Sequence, residues 1–153
     1  MFNFSIKQYL TIICVALFII GGIYLKFREY FLPTAIVKIA WQEIKVELAE
    51  TPKAQTNGLS GRKKLAENLG MLFLFPLAEK RAFWMKDMNF SIDIIWINNG
   101  EIVDIAPNLP PAVEANPPVY YPRLPVNAVL EVMAGFSVKN GLKIGDKVDL
   151  LTK

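Results

Sequence analysis

Four charged residues lie in otherwise apolar stretches of the sequence and are the first candidates for chemistry. They are Arg62, Lys86, Asp93 and Glu131, and Trp84 stands two residues before Lys86. A carboxylate in apolar surroundings needs hydrogen-bond donors or a cation. Such pairs in a partly dry pocket could hold a small anion or a polyol, or tune a general acid. We therefore predict a ligand-binding site built from these five residues.

Structural roles explain the same residues without any ligand. A buried ion pair can fix the register of neighbouring strands. A strand tryptophan beside methionine is more often packed in a core than used to stack a sugar. Asp93 and Glu131 could also hydrolyse a glycoside, but the sequence does not fix their separation. A binding site, a structural ion pair and a carbohydrate-active enzyme therefore all stay open.

The composition excludes several classes of active site. The chain has no histidine, which removes Ser-His-Asp and Cys-His triads and the commonest metal ligand. The single cysteine, Cys14, cannot form an internal disulfide. The net charge of +3 is spread along the chain, so no nucleic-acid partner is predicted. The acidic residues are too scattered to predict a metal site, and we predict no cofactor.

The stretch from Arg81 to Ile105 must position several of these side chains. Asn99-Gly100 lies between two apolar runs and predicts a tight hairpin, because both residues tolerate the positive φ of the turn. The strand before it is apolar on both faces except at Asp93, so we expect it in the centre of a sheet. Lys86 and Arg62 are the candidate cations for that carboxylate.

Short alternating or apolar runs predict further strands in the rest of the chain. These are residues 36–41, 44–48, 71–75 (ending at Pro76), 128–134 and 147–151. A helix is predicted at Leu59–Leu69, capped by Ser60 and ended by Gly70. The proline-rich residues 107–125 predict a long surface loop rather than a strand. The pattern predicts a mainly β, antiparallel barrel- or sandwich-like domain with one short helix.

The N-terminal region is predicted to be a transmembrane helix. Tyr9 to Leu25 contains no charged residue and is at the short end of the ~17–25 residues that cross a bilayer as a helix. We expect membrane contact over residues 6–27. A cleaved signal peptide is the alternative, but the residues after Gly21-Gly22 fit its small-x-small cleavage site poorly. The predicted organisation is an anchor and link at 1–33 and a β domain at 34–153.

From Ile44 onward the order of sequence signals resembles the DUF192 family, a prokaryotic domain of unknown function. The residues that carry the resemblance are Val46-Glu47-Leu48-Ala49 with Thr51, Gly58-Leu59-x-x-Arg62, Gly70-Met71-Leu72-Phe73, Phe83-Trp84-Met85-Lys86, Asp93-Ile94-Ile95, Leu130-Glu131-Val132-x-Ala134-Gly135, Gly141 and Gly145-Asp146. The resemblance covers about residues 44–150. It implies a barrel-like β fold with a short helix, usually exported or membrane-attached, and no settled activity.

Three functional hypotheses follow from these observations. The first is a membrane-anchored, non-catalytic binding or envelope-associated module for a small polar ligand or an envelope protein. Charges on both sides of the apolar run leave its orientation open, but the resemblance implies a single-pass protein with its C-terminal domain outside the cytoplasm. The second is an envelope hydrolase or lyase that uses Asp93 or Glu131. The third is a structural partner of another membrane protein, contacted through Pro117–Pro122.

Overall fold

The structure, a computed structural model, forms two compact units, Met1–Leu32 and Pro33–Lys153. The residues that it describes are 5–28, 32–112 and 117–151. The first unit contains one described helix, α1 (Ile6–Arg28). Within α1, Ile6–Ile23 is long and apolar enough to cross a membrane, by length and composition alone. A signal sequence near an N-terminus has the same properties.

The second unit is built mainly from strands. Its elements are β1 (Thr34–Ile39), β2 (Gln42–Ala49), α2 (Pro52–Asn57), β3 (Leu69–Glu79), β4 (Phe83–Trp84), β5 (Ile92–Asn98), β6 (Glu101–Leu109), β7 (Val119–Tyr120), β8 (Val126–Met133), α3 (Phe136–Lys139) and β9 (Val148–Leu151). Seven strands form one sheet in the order β6-β5-β8-β3-β2-β1-β9, and β4 pairs with β7.

The large sheet curls until its two edge strands, β6 and β9, meet at one end. Glu101, at the start of β6, forms an antiparallel bridge with Lys147, just before β9. The Val148 amide also donates to the Gly100 carbonyl at 2.9 Å. The resulting half-barrel confirms the predicted mainly β, barrel-like domain. One strand pair, β2 with β3, is parallel, because the connection through α2 is long enough for a crossover.

Both faces of the central strands are buried. On one face, Ile95, Leu130 and Val132 belong to the main hydrophobic core. Side chains alternate between faces along a strand, so the neighbouring positions Met71 and Glu131 lie in one cross-strand row on the other face. This second face carries the candidate site described below.

The predicted helix at Leu59–Leu69 is wrong. The helix forms earlier, at α2, where the Thr51 hydroxyl accepts from the Ala54 amide at 3.2 Å and Pro52 occupies the first turn. Proline is favoured there because its missing N–H is not needed. Gly58, with φ +50°, and Gly61, with φ +73°, then take the chain out of the helical region.

Two predicted strand limits at prolines are also wrong. The strand predicted to stop at Pro76 continues to Glu79, because Pro76 lies where the β3–β8 register shifts and no ladder bond is needed. The region predicted as loop from Pro107 onward contains the end of β6 and all of β7. Residues 113–116 of that region lie outside the described residues.

The hairpin and the central strand are as predicted. Asn99 and Gly100 have φ of +49° and +75° and join β5 to β6. β5 pairs with β6 on one side and β8 on the other. Asp93 is therefore central, and its exposed fraction is 0%.

Candidate functional site

A cleft of about 510 Å³ lies over the second face of the sheet. Its walls come from α2 and the residues after it, from β3, and from the segment that leads into β4. The side chain of Glu131 in β8 reaches it from the sheet. The volume lies within the ~300–1,000 Å³ of small-molecule sites, so the cleft is the candidate site.

Glu131 is a buried carboxyl group with an unfilled hydrogen-bonding position. The residue is 5% exposed, and its Oε2 atom is buried without a hydrogen-bond partner among the described residues. Burial raises the pKa of Glu131 to about 8, against a smaller lowering by the Arg62 charge. Glu131 therefore carries a proton at neutral pH and can both donate and accept one hydrogen bond.

Arg62 does not form an ion pair with Glu131, because its guanidinium is already paired with the carboxylate of Glu47. The Arg62 guanidinium donates to both Glu47 oxygens, at 2.9 Å and 2.5 Å. This hydrogen bonding lowers the pKa of Glu47 and raises the pKa of Arg62. Glu47 and Glu131 both oppose Met71 in the ladder, so their backbones lie about 10 Å apart, two strand spacings. Arg62 is therefore hydrogen-bonded to Glu47 and affects Glu131 only through its charge.

Aromatic side chains form much of the cleft wall. Phe73 and Phe83 meet edge to face, with ring centroids 5.0 Å apart and planes at 87°. Trp84, beside Phe83, is 48% exposed at the cleft. The Lys86 ammonium lies 5.7 Å from the centroid of the Trp84 ring, within the range of a cation–π contact. Phe73 itself is buried, so the aromatic surface open to a ligand comes from Phe83 and Trp84.

Arg81 supplies a second unfilled position in the same cleft. Its guanidinium lies 4.2 Å from the centroid of the Phe75 ring and forms an ion pair with Glu79 at 3.0 Å. Its Nε atom is buried and has no acceptor among the residues that the structure describes. The sequence prediction did not include this residue.

Two chain segments beside the cleft are joined by hydrogen bonds. Donors and acceptors are Ser60 Oγ to the Lys86 carbonyl at 2.8 Å, the Gly61 amide to the Asp87 carbonyl at 2.8 Å, and Asn89 Nδ2 to the Arg62 carbonyl at 2.9 Å. Ser60, predicted as a helix cap, instead links these segments. Gly58 also lies close to the site, since a Cβ there would be 3.4 Å from the Phe73 ring and 3.9 Å from Glu131 Oε2.

Asp93 lies away from this cleft, and its carboxylate is fully bonded. Oδ1 accepts from the amides of Asn108 and Gly135, at 2.8 Å and 3.0 Å. Oδ2 accepts from the amide and the hydroxyl of Ser137, at 2.8 Å and 2.5 Å. In the ladder Asp93 opposes Val132, whose side chain belongs to the main core, so the two acids occupy opposite faces. The predicted pairing of Asp93 with Lys86 or Arg62 is wrong, because donors from the end of β6 and from the start of α3 take the place of a cation.

The structure therefore divides the five predicted site residues. Trp84 and Glu131 both line the cleft. Arg62 acts on Glu131 only through its charge, and Lys86 lies over the Trp84 ring without lining the cleft itself. Asp93 belongs to the opposite face.

Sequence reasoning missed the aromatic wall and Arg81. Alternation along residues 71–75 does place Phe73 and Phe75 on one face, but only the β3–β8 register brings that face to Glu131. Within the described residues, no three histidine, cysteine, aspartate or glutamate side chains converge as a metal site would require. The site is thus a cleft with one neutral acid and one cationic end.

Comparisons with known proteins place the β domain in a family. The DUF192 model, described as an uncharacterized ACR, matches residues 35–150. A solved structure from Sinorhizobium meliloti 1021, provisionally described as a transcription regulator, is similar at a TM-score of 0.71 and 28% identity, covering 78% of this chain and 95% of its own. A protein of unknown function from Novosphingobium aromaticivorans DSM 12444 is similar at a TM-score of 0.70 and 31% identity, covering 77% and 86%. No curated protein matches the chain.

Proposed function

Since the chain belongs to the DUF192 family, whose description carries no activity, we propose that the protein is a non-catalytic binding module with a small polar ligand in the cleft over Glu131. The observation that carries the proposal is the buried, unpartnered Oε2 atom of Glu131 at that cleft. A buried polar atom without a hydrogen-bond partner lowers the stability of the folded protein, unless a water or a ligand completes its hydrogen bonding. A ligand with a hydroxyl or another polar group would complete it.

A screen by thermal unfolding of the full chain in detergent micelles tests this proposal. The panel contains neutral sugars, sugar acids, amino sugars, amino acids and polyamines. A ligand raises Tm by mass action, and we expect at least one compound to do so. The rise should disappear in Glu131→Leu and persist in Lys86→Ala, which changes only the outer rim. No rise with any compound, or a rise that Glu131→Leu leaves unchanged, would refute the proposal.

The alternative of a carbohydrate hydrolase or lyase has less support. Asp93 is sealed and fully bonded on the other face. The raised pKa of Glu131 suits a general acid, but glycoside hydrolysis needs a second carboxyl group ~5–9.5 Å away. Glu79 lines the cleft and is ion-paired to Arg81. Its ladder partner Val126 lies five residues from Glu131, about 16 Å along the strand.

We also propose that α1 anchors the domain to a membrane and that the domain lies outside the cytoplasm. The length and apolar composition of Ile6–Ile23 support the anchor, and the family resemblance supports the side. An alkaline phosphatase fused after residue 153 should be active, whereas a green fluorescent protein there should stay dark. An N-terminal epitope tag should remain on the mature protein. Loss of the tag would indicate a cleaved signal sequence, and the opposite fusion pattern would indicate a cytoplasmic domain.

A further inference from the structure

The cleft has two polar ends with different chemistry. Glu131 opposes Met71 in β3, whereas the Arg81 guanidinium rests on Phe75, four residues along the same strand. Four residues of a strand extend about 13 Å. Each end holds a buried polar atom without a partner in the described part of the chain. A ligand that satisfies both atoms must therefore be elongated and carry polar groups at both ends.

The electrical character of the two ends also differs. At one end Lys80 and Arg81 are consecutive, and Glu79 neutralises only one of them. At the other end Glu131 holds its proton at neutral pH, because burial raises its pKa to about 8. The Arg81 end therefore favours an anion, since Lys80 and Arg81 both line the cleft, one positive charge is in excess and the Arg81 Nε–H has no acceptor among the described residues. The Glu131 end favours a neutral group that donates and accepts.

The middle of the cleft is aromatic. Phe73 and Phe83 pack edge to face, and Trp84 extends the surface toward the mouth. Ring C–H groups of a compact polyol pack well on such faces, while its hydroxyls remain free for the polar ends. A purely apolar ligand would leave Oε2 of Glu131 without a partner. A cationic ligand would meet like charge at Lys80 and Arg81.

We infer that the cleft binds an acidic sugar of one or two rings, with its carboxylate at Arg81, its ring against Phe83 and Trp84, and a hydroxyl on Glu131. The inference rests on the proposed function, since it names the ligand class of the same site. The hydroxyl donates to Oε2 or accepts from the carboxylic acid. The carboxylate accepts from Nε of Arg81 and gains from the nearby Lys80 ammonium.

Isothermal titration of the full chain in detergent micelles tests this class. The probes are glucuronate and galacturonate, glucose as the neutral match and glucosamine as the cationic one. We expect the two acids to bind about tenfold or more tightly than glucose, the usual difference made by a charged hydrogen bond. Glucosamine should bind most weakly. A digalacturonate probe distinguishes a free sugar acid from a fragment of an acidic polymer, because only the latter predicts tighter binding of the second ring.

Variants assign each end of the ligand. Arg81→Gln should remove the preference for glucuronate over glucose, measured as the ratio of the two affinities in the same variant. Glu131→Leu should weaken both sugars, because both use the same hydroxyl contact. Arg123→Gln is the matched control, since Arg123 lies on an exposed loop beside Asp104, and it should change neither.

The outcomes separate this inference from the proposed function. Glucose binding as tightly as the acids, or glucosamine binding more tightly, overturns the acidic-sugar class. So does a preference for acids that survives Arg81→Gln. If acidic sugars fail while another compound raises Tm in a Glu131-dependent way, the class is wrong and the binding site stands. If no compound in the wider panel binds, both are wrong.

Discussion

Asp93 and Glu131 are two buried carboxyl groups on adjacent central strands, and their surroundings could hardly differ more. Asp93 accepts four hydrogen bonds, three from main-chain amides and one from the Ser137 hydroxyl. Glu131 keeps an oxygen with no donor among the described residues. Asp93 therefore joins the end of β6 and the start of α3 to the central strand, whereas Glu131 keeps an unfilled hydrogen-bonding position at the cleft. Both acids are buried, so depth in the core does not distinguish the structural acid from the acid proposed to bind a ligand; the supply of hydrogen-bond donors does.

The largest effect is expected at the structural acid. Asp93→Ala leaves the amides of Asn108, Gly135 and Ser137 without their acceptor, and we expect it to lower the free energy of unfolding by roughly 4–5 kcal/mol. Urea unfolding of the full chain, followed by the fluorescence of buried Trp96, measures this. Ser137→Ala, which removes only the hydroxyl donor, should lose about 1 kcal/mol. Similar losses in the two variants would contradict the assigned role of Asp93.

The binding acid is expected to behave in the opposite way. In the unfolded chain Glu131 ionises near 4.5, and in the folded chain near 8. Between these values only the unfolded state loses its proton, so stability falls as pH rises and levels off above 8. Glu131→Gln cannot ionise, and its gain over the wild type should be near zero at pH 4 and roughly 2–4 kcal/mol at pH 9.

The exposed acid Glu101, paired with Lys147, provides the control for that prediction. Glu101→Gln should leave the pH dependence of unfolding as in the wild type. If Glu131→Gln shows the same pH dependence as the wild type, Glu131 is ionised in the folded state. The contrast with Asp93 would then disappear.

A glycine next to the binding acid sharpens the comparison. Gly58→Ala should lose about 1–2 kcal/mol, because a residue with a side chain is strained at φ +50° and the new Cβ contacts the Phe73 ring at 3.4 Å. Gly141→Ala also places a side chain at a positive φ, +63°, but its Cβ meets nothing within 4 Å. Only Gly58→Ala should also weaken ligand binding in a titration. Equal effects on binding would show that the cleft ends before Gly58.

The smallest effect is expected from Arg62, which is hydrogen-bonded to a third acid, Glu47. Hydrogen bonding to Arg62 lowers the pKa of Glu47, so that pair stabilises the fold above the ordinary glutamate pKa and the gain is lost as pH falls below it. Because both side chains are about one-third exposed, Arg62→Gln should lose only about 1 kcal/mol at neutral pH. It should flatten the acid limb of the stability profile. The pKa of Glu131 should rise further, since Arg62 lowers it now.

The sequence was most informative where local chemistry decides the structure. Asn99-Gly100 predicted its hairpin through the φ values that it tolerates, and two apolar faces predicted a central strand around Asp93. α2 was missed, although Thr51 supplies its cap and Pro52 suits its first turn. That error placed the helix one segment too late.

The site depended on information that no local pattern contains. Whether a buried acid is bonded depends on which loops reach it, and Asn108, Gly135 and Ser137 come from two distant stretches of the chain. Arg81 and Phe75 come to line the same cleft as Glu131 only through the pairing of β3 with β8. Charge in an apolar stretch therefore located the two acids correctly but could not assign their roles.

The three hydrogen bonds that join residues 60–62 to residues 86–89 also affect the affinity that the proposed site can reach for a ligand. They fasten two stretches of chain that are remote in sequence before any molecule arrives, so little freedom remains to be lost on association. In a receptor preorganised in this way, most of the attraction of each contact is retained as affinity. Binding of the proposed ligand should accordingly carry a small entropic penalty and move the backbone little.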